Sequence, residues 1–386
     1  MIKSKIKNSS LVLGILGGGQ LAKMLANSAY RMGINVAVIE KEKSSPAGDM
    51  TQLEIVGSWE DDDILNQFLE SCDIVTLENE FIDPDILEKV EAKRTIYPSP
   101  NTMRLIQDKY IQKDTFRNAG IEVPDFQMIN SLDDALSFAK DKNFPVVIKA
   151  RKYGYDGYGN ATVFNEDECK SAIGRFNSKN PNRQLMVEEF IDFSKELAVL
   201  VARNFRGEIA VYPCVETVQY RHICHSVVAP AEIDIELSKK AQEAALNCVK
   251  AINGIGIFGV ELFLSKDNRI LVNEIAPRPH NSGHYTIEAC YTSQFENCIR
   301  AVLNLPLGSP ELITPAAAMI NLLGTRDGVG NPENIEELLR HKKVWLHLYN
   351  KKMSRIGRKM GHITALGKTT EEAYKLAQSA ADAIVW

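Results

Sequence analysis

The sequence predicts three packed units: an α/β unit with a parallel, doubly wound sheet, a larger α+β unit, and a small β-rich unit at the C-terminus. Three observations lead there. The 386 residues exceed what one compact core usually accommodates. Up to about residue 100, short apolar runs alternate with helical stretches, the pattern of strand–helix–strand units. Beyond the Pro98-Ser99-Pro100 punctuation the apolar runs crowd together with glycine-rich connections, which suits mostly antiparallel pairing.

In chain order, residues 11–16 form an apolar strand, 17–19 a glycine turn, 20–32 a helix stopped by Gly33, and 35–39 a second strand. Another strand spans 73–77 and ends in Glu78, Asn79 and Glu80. A helical segment from about 102 to 118 leads into the second unit. There, strands are expected at 145–149 and 161–164, separated by a glycine-rich loop, with Asn165 capping a helix. Further strands are expected at 184–189, 197–203, 209–215 and 259–274, with covering helices at 235–252 and 285–304. The last part holds an alternating strand at 344–349 and a helix opened by a Thr369 to Glu372 capping box. The expected units are 1–105, 106–305 (a small lobe of about 120–187 and a large lobe of about 188–305) and 306–386.

Net charge is −5, so a general attraction to nucleic acid or anionic lipid is not indicated. Seven cysteines without a CxxC pair suggest reduced thiols rather than a disulfide framework or a zinc site. Glycines interrupt the first apolar run, so a signal peptide is not expected, and no stretch reaches the roughly 18 apolar residues of a membrane span. The expected location is the cytoplasm.

Four constellations could carry chemistry. Gly17-Gly18-Gly19-Gln20-Leu21-Ala22 with Glu40 fits the dinucleotide fingerprint in its strand–turn–helix setting. A nicotinamide or flavin cofactor, another phosphate-bearing ligand and a purely structural turn all remain open. The loop Gly154-Tyr155-Asp156-Gly157-Tyr158-Gly159 follows a strand carrying Lys149. It lacks the Gly-Lys-Ser/Thr of a Walker loop, and reads either as a flap over phosphates or as a hairpin with an exposed lysine.

The third is an acidic hairpin. Counting back from a two-residue turn at Asp267-Asn268 places Glu261 opposite Glu274, about 5 Å apart at Cβ. Facing carboxylates repel unless a proton or cation intervenes, and Mg²⁺ shared with nucleotide phosphates fits; a register slip of one residue would separate the pair. Arg278, fixed between Pro277 and Pro279 in the run to His280 and His284, suits a transferring phosphoryl group. Fourth, Lys351, Lys352, Arg355, Arg358 and Lys359 read as a solvated face or as contacts to a small anionic substrate.

Together these residues closely resemble the 5-(carboxyamino)imidazole ribonucleotide synthase family, of the ATP-grasp superfamily. The likeness runs through Gly17 to Leu21, Ser99-Pro100, the Gly154 to Gly159 loop, Glu188-Glu189-Phe190-Ile191, Asn273 through Cys290, and Arg358-Lys359-Met360-Gly361-His362. The resemblance implies an ATP-grasp fold with a Rossmann-like pre-ATP-grasp domain and a small C-terminal domain that completes the substrate site. It implies carboxylation of aminoimidazole ribonucleotide by ATP and bicarbonate, with Mg²⁺, in a homodimer.

By the same resemblance, Lys109 and Lys149 contact phosphates, and Gly154 to Asn160 form the flap. Glu188, Glu189, Phe190 and Ile191 hold adenine, largely through backbone, and Glu196 binds ribose hydroxyls. Asn273 and Gln219 belong to the nucleotide site, and Glu261 and Glu274 hold Mg²⁺. Tyr155, Asp156, Arg278, Lys351 and Arg358 surround the ribonucleotide and the carboxyphosphate. Lys109, Tyr158 and Gln219 depart from the Arg, Lys or Arg, and His that are common in the family, and Ala22-Lys23 from Gly-Arg. Rival readings are a sister ligase using formate or another acyl donor, an oxidoreductase, and a nucleotide-binding module without turnover.

Overall fold

The structure is a computed structural model that describes residues 10–154, 159–179, 183–220 and 223–386. Residues 155–158, which hold the centre of the expected flap, lie outside the described residues. Among the described residues the strands form four sheets.

The first is all parallel, in the order β3-β2-β1-β4-β5, from β1 (Val12–Leu16), β2 (Asn35–Glu40), β3 (Leu53–Val56), β4 (Ile74–Leu77) and β5 (Thr95–Ile96). The near-continuous apolar runs of β1, β2 and β4 match burial on both faces. A four-stranded antiparallel sheet follows, in the order β6-β9-β7-β8: β6 (Phe126–Ile129), β7 (Val146–Ala150), β8 (Asn160–Val163) and β9 (Leu185–Glu189).

The largest sheet has nine strands. It comprises β10 (Phe193–Arg203), β11 (Ile209–Val211), β12 (Val215–Tyr220), β13 (Ile223–Ala229), β14 (Gly256–Ser265), β15 (Ile270–Ala276), β16 (Ala316–Leu323), β18 (Val344–Leu348) and β20 (Lys359–Gly367). The short pair β17 (Gly328–Val329) and β19 (Met353–Ser354) stands apart. β16 pairs with β13, so the C-terminal strands extend the sheet that carries the acidic hairpin. All seven cysteines are free thiols, and among the described residues no helix is long and apolar enough to cross a membrane.

Several elements differ from expectation for visible reasons. The helix expected over 102–118 is two, Pro100–Ile106 and Lys109–Asn118, because Asp108 is extended and its carboxylate caps the second by accepting from Tyr110 and Ile111 N–H. The helix expected over 285–304 is likewise split into Thr286–Ala289 and Gln294–Val302, the latter capped by Ser293. The strand expected over 209–215 stops at Val211 and resumes at Val215; Pro213 between them has no N–H for a ladder. The C-terminal cap is displaced by one residue: Thr369 accepts from Glu372 N–H, but the Glu372 carboxylate accepts from Lys368 N–H.

The acidic hairpin shows the most instructive difference. Its turn is not the two-residue turn expected; Ser265 pairs with Arg269 across Lys266, Asp267 and Asn268, with Asn268 at φ 62°. That register matches Leu262 with Val272 and would put Glu261 opposite Asn273. A bulge between Glu261 and Leu262 restores the pairing of Glu261 with Glu274.

Candidate active site

One cleft of about 500 Å³ gathers side chains from all three regions of the chain. Glu78 and Glu80 come from the end of β4, Lys109 from a helix start, Lys149 and Asn160 from the small sheet, and Glu196, Gln219, Glu261, Asn273 and Glu274 from the large one. Arg278, His280 and His284 follow β15, and Lys351, Arg358 and Lys359 arrive from the C-terminal strands.

The facing acidic pair is assembled by register. Glu196 and Glu261 are near-diagonal neighbours on β10 and β14, and Glu274 faces Glu261 from β15. Burial would raise the Glu274 carboxyl, but the Lys109 ammonium against it, backed by Lys149 and His280, holds it well below the usual range. His280 Nε2 lies 3.3 Å from Glu261. Among the described residues no such cation shifts Glu196: burial, then repulsion from Glu261, pushes it up to about 7.

Among the described residues no group of three or more His, Cys, Asp or Glu could enclose a metal by itself. Two facing carboxylates fit a hard divalent ion only if nucleotide phosphates supply further oxygens, as Mg²⁺ prefers. Lys109 donates to Glu274 Oε2, one of the oxygens such an ion would need.

Lys149 is buried rather than exposed, which removes the bland reading of its strand. Its ammonium lies 2.9 Å from Glu188 Oε1 and 3.3 Å from Asn273 Oδ1. On the other side Glu188 Oε2 is 3.2 Å from Lys113, whose ammonium burial pulls down to about 8 despite that carboxylate. Lys113 escaped the sequence reading, though its i,i+4 spacing from Lys109 on one helix face was a usable signal.

Glu188 therefore spends its side chain on two lysines. This leaves only its backbone for a ligand, while Glu189, Phe190 and Ile191 lie at the β9 end without lining the cleft.

The strand end that leads into the Gly154 to Gly159 stretch is anchored on the same helix. Arg151 donates from Nε and Nη2 to the buried Asp108 carboxylate at 2.7–3.1 Å, and Lys109 N–H donates to Arg151 O at 2.8 Å. A Cβ on Gly159 would lie 2.4 Å from Gly154 Cα, so glycine alone lets the two ends of the loop touch. Gly154 and Asn160 line the cleft, whereas Tyr155, Asp156, Gly157 and Tyr158 belong to the residues not described.

The N-terminal glycine turn is filled from within. Glu78 Oε1 accepts from Gly19 N–H at 2.6 Å and Oε2 from Ala22 N–H at 2.9 Å, while Glu40 accepts from Gly18 N–H at 3.0 Å. A Cβ on Gly17 or Gly19 would collide with Glu78. The helix N-terminus that could cradle a pyrophosphate thus holds the chain's own carboxylate, and a dinucleotide has no place there.

Glu80 was also missed. It receives Arg278 through Nε and through Nη2 at 2.9 Å; burial would raise its carboxyl, and Arg278 holds it down. Lys351 stacks over Tyr349 at 5.7 Å, and Arg358 is tied by Nη1 to Met353 O at 2.8 Å.

Family models match in three stretches. Residues 11–107 match the ribonucleotide synthetase preATP-grasp domain, 114–295 the ATP-grasp domain, and 317–375 the phosphoribosylaminoimidazole carboxylase C-terminal domain. The chain is 41% identical to the chloroplastic phosphoribosylaminoimidazole carboxylase of Vigna aconitifolia over 364 residues, 93% of this chain but 64% of that longer protein. It is 36% identical over 361 residues to the N5-carboxyaminoimidazole ribonucleotide synthase of Bacillus subtilis, 94% of this chain and 93% of that one.

Among solved structures, the N5-carboxyaminoimidazole ribonucleotide synthetase of Thermotoga maritima is 43% identical with a TM-score of 0.87, covering 97% of this chain and 99% of that one. The Aspergillus clavatus enzyme complexed with ADP and 5-aminoimidazole ribonucleotide is 36% identical with a TM-score of 0.88, covering 97% and 98%. At these identities, with the whole architecture shared, the chain belongs to the N5-carboxyaminoimidazole ribonucleotide synthase family of ATP-grasp proteins.

Proposed function

We propose that this protein carboxylates the exocyclic amine of 5-aminoimidazole ribonucleotide with bicarbonate at the expense of ATP, releasing N5-carboxyaminoimidazole ribonucleotide, ADP and phosphate. The observation that carries this is the single cleft in which Lys109, Lys149, Glu261, Glu274, Arg278, Lys351 and Arg358 meet. The family relatives support it, among them the fungal enzyme complexed with ATP.

In this reading a bicarbonate oxygen attacks the γ-phosphorus of ATP and ADP leaves, giving carboxyphosphate. The carboxyl carbon then passes to the amine nitrogen: its C–O bond to phosphate breaks, an N–C bond forms, and the amine loses a proton. Lys109 and Lys149 stand beside the acidic pair, where the β- and γ-phosphates belong. Glu261 and Glu274 would hold Mg²⁺, which would supply charge neutralisation for the phosphates.

Glu196 accepts from ribose hydroxyls, Gln219 and Asn273 border the nucleotide, and backbone of residues 188–191 meets adenine. Asn160 and the 154–159 loop close over the phosphates. Arg278, steered by Glu80, faces the developing negative charge. Lys351 and Arg358 hold the ribonucleotide phosphate, with Tyr155 and Asp156 brought by the flap.

The test is coupled ADP release with ATP, Mg²⁺, bicarbonate and aminoimidazole ribonucleotide, each omitted in turn. Turnover is expected only with all four. Release that needs formate and ignores bicarbonate would instead identify the acyl-donor ligase.

A further inference from the structure

His284 is almost wholly buried, 1% exposed, yet it forms part of the cleft wall alongside Arg278, Lys351, Arg358 and Lys359. Its protonation state can be deduced from its neighbours. Gln294, also buried, makes a reciprocal pair with the backbone of His280: His280 N–H donates to Gln294 Oε1 at 2.8 Å, and Gln294 Nε2 donates to His280 O at 2.8 Å. A peptide group donates only through N–H and accepts only through C=O, so the amide cannot be flipped.

Gln294 Nε2 is therefore a donor, and it lies 3.1 Å from His284 Nδ1. The nitrogen facing a donor must carry the lone pair, which leaves the proton on Nε2. Phe295, Tyr349 and His362 pack around the ring at centroid distances of 5.7, 6.5 and 4.8 Å, while His284 still lines the cleft.

We propose that His284 is a neutral hydrogen-bond donor, through Nε2–H, to an oxygen of the anion bound in this cleft, with its tautomer set by Gln294. This rests on the function proposed above. The oxyanion is either the bicarbonate-derived carboxyl or the phosphate of the ribonucleotide. A neutral donor suits this reaction because an imidazolium beside the attacking amine could protonate and silence it, whereas neutral Nε2–H polarises an oxygen without surrendering a proton. The surroundings agree: burial first, then the positive charge of Lys359, His280, His347 and Arg278, oppose a second proton on His284.

Long-range ¹H–¹⁵N spectroscopy of the full-length, histidine-labelled protein tests the tautomer. The expected result is an Nε2–H signal that does not titrate where free histidine does, and that moves when either bicarbonate or inorganic phosphate is added. The anion that moves it identifies the source of the oxygen. An Nδ1–H tautomer, an ordinary titration, or no response to either anion overturns the proposal.

Two variants read the donor kinetically. His284→Asn keeps an acceptor towards Gln294 but, being shorter, places no donor at the Nε2 position; its kcat/KM should fall about 10- to 100-fold for whichever substrate brings the oxygen, the range for a bond to a charged partner. His284→Gln, whose amide reaches the Nε2 position, should recover about tenfold of that loss. Unchanged kcat/KM for both substrates in folded His284→Asn, or equal losses without recovery in His284→Gln, also overturns it. Absence of turnover in the unaltered protein would defeat the proposed reaction instead, and the spectroscopic result would stand apart from it.

Discussion

Glu196, Glu261 and Glu274 point to one face of the large sheet, but they are not equivalent, because cations are distributed unevenly among them. Glu274 is held ionised chiefly by Lys109, while Glu196 is raised to about 7 by burial and by Glu261. The folded state therefore holds the Glu196 proton more tightly than the unfolded chain does. That contribution to stability is complete below the ordinary glutamate range and is lost as pH rises through about 7. Glu196→Gln should lack the loss, so its melting temperature gains on the parent as pH rises from the ordinary glutamate range to about 7 and keeps a constant lead above it, measurable by scanning calorimetry. The KM for ATP of the parent should fall over the same interval, as Glu196 ionises and accepts from ribose, and be flat in the variant. Glu274→Gln is expected to reduce ADP release by about 100-fold or more with an unchanged circular dichroism spectrum; near-normal turnover would remove Glu274 from the metal site.

Larger effects than these depend on how elements are tied together. The helix Lys109–Asn118 carries Asp108 as its cap, and through it the Arg151 pair at the end of β7, just before the glycine-rich loop. Removing one partner of a buried ion pair typically costs about 3–5 kcal/mol. Arg151→Met should lose about that much in urea unfolding and raise the KM for ATP more than it lowers kcat. Gly159→Ala is a separate probe of that loop: its methyl would meet Gly154 Cα, and the expected result is about a tenfold rise in the KM for ATP with little change in melting temperature. Of this arrangement, the glycines at both ends of the loop and the strand bearing Lys149 were legible from spacing. The role of Asp108 was not, because a helix break at an aspartate and a continuous amphipathic helix look alike in one sequence.

Across the whole molecule, the Glu80–Arg278 pair joins the N-terminal parallel sheet to the end of the acidic hairpin. Glu80→Gln should weaken this tie, leave Arg278 less well directed, and lower kcat by about 10- to 100-fold while the KM for ATP stays within about twofold. A homodimer is the expected assembly, and sedimentation should give about twice the 43.1 kDa chain mass; a monomer at assay concentrations would exclude it.

The sequence by itself determined the order and type of most elements, the two glycine loops and the acidic hairpin, because these follow from periodicity and from glycine chemistry, which are local. It also paired Glu261 with Glu274, though through a turn the chain does not make; a longer turn and a bulge at Asn273 offset one another. Only the tertiary structure decided that Glu78 fills the glycine turn, that Lys113 and Lys149 share Glu188, that Glu80 steers Arg278, and that Gln294 fixes His284. Each of these joins segments that lie apart in sequence, or depends on a backbone group's orientation, and hydrophobic period carries no information about where a buried charge finds its partner.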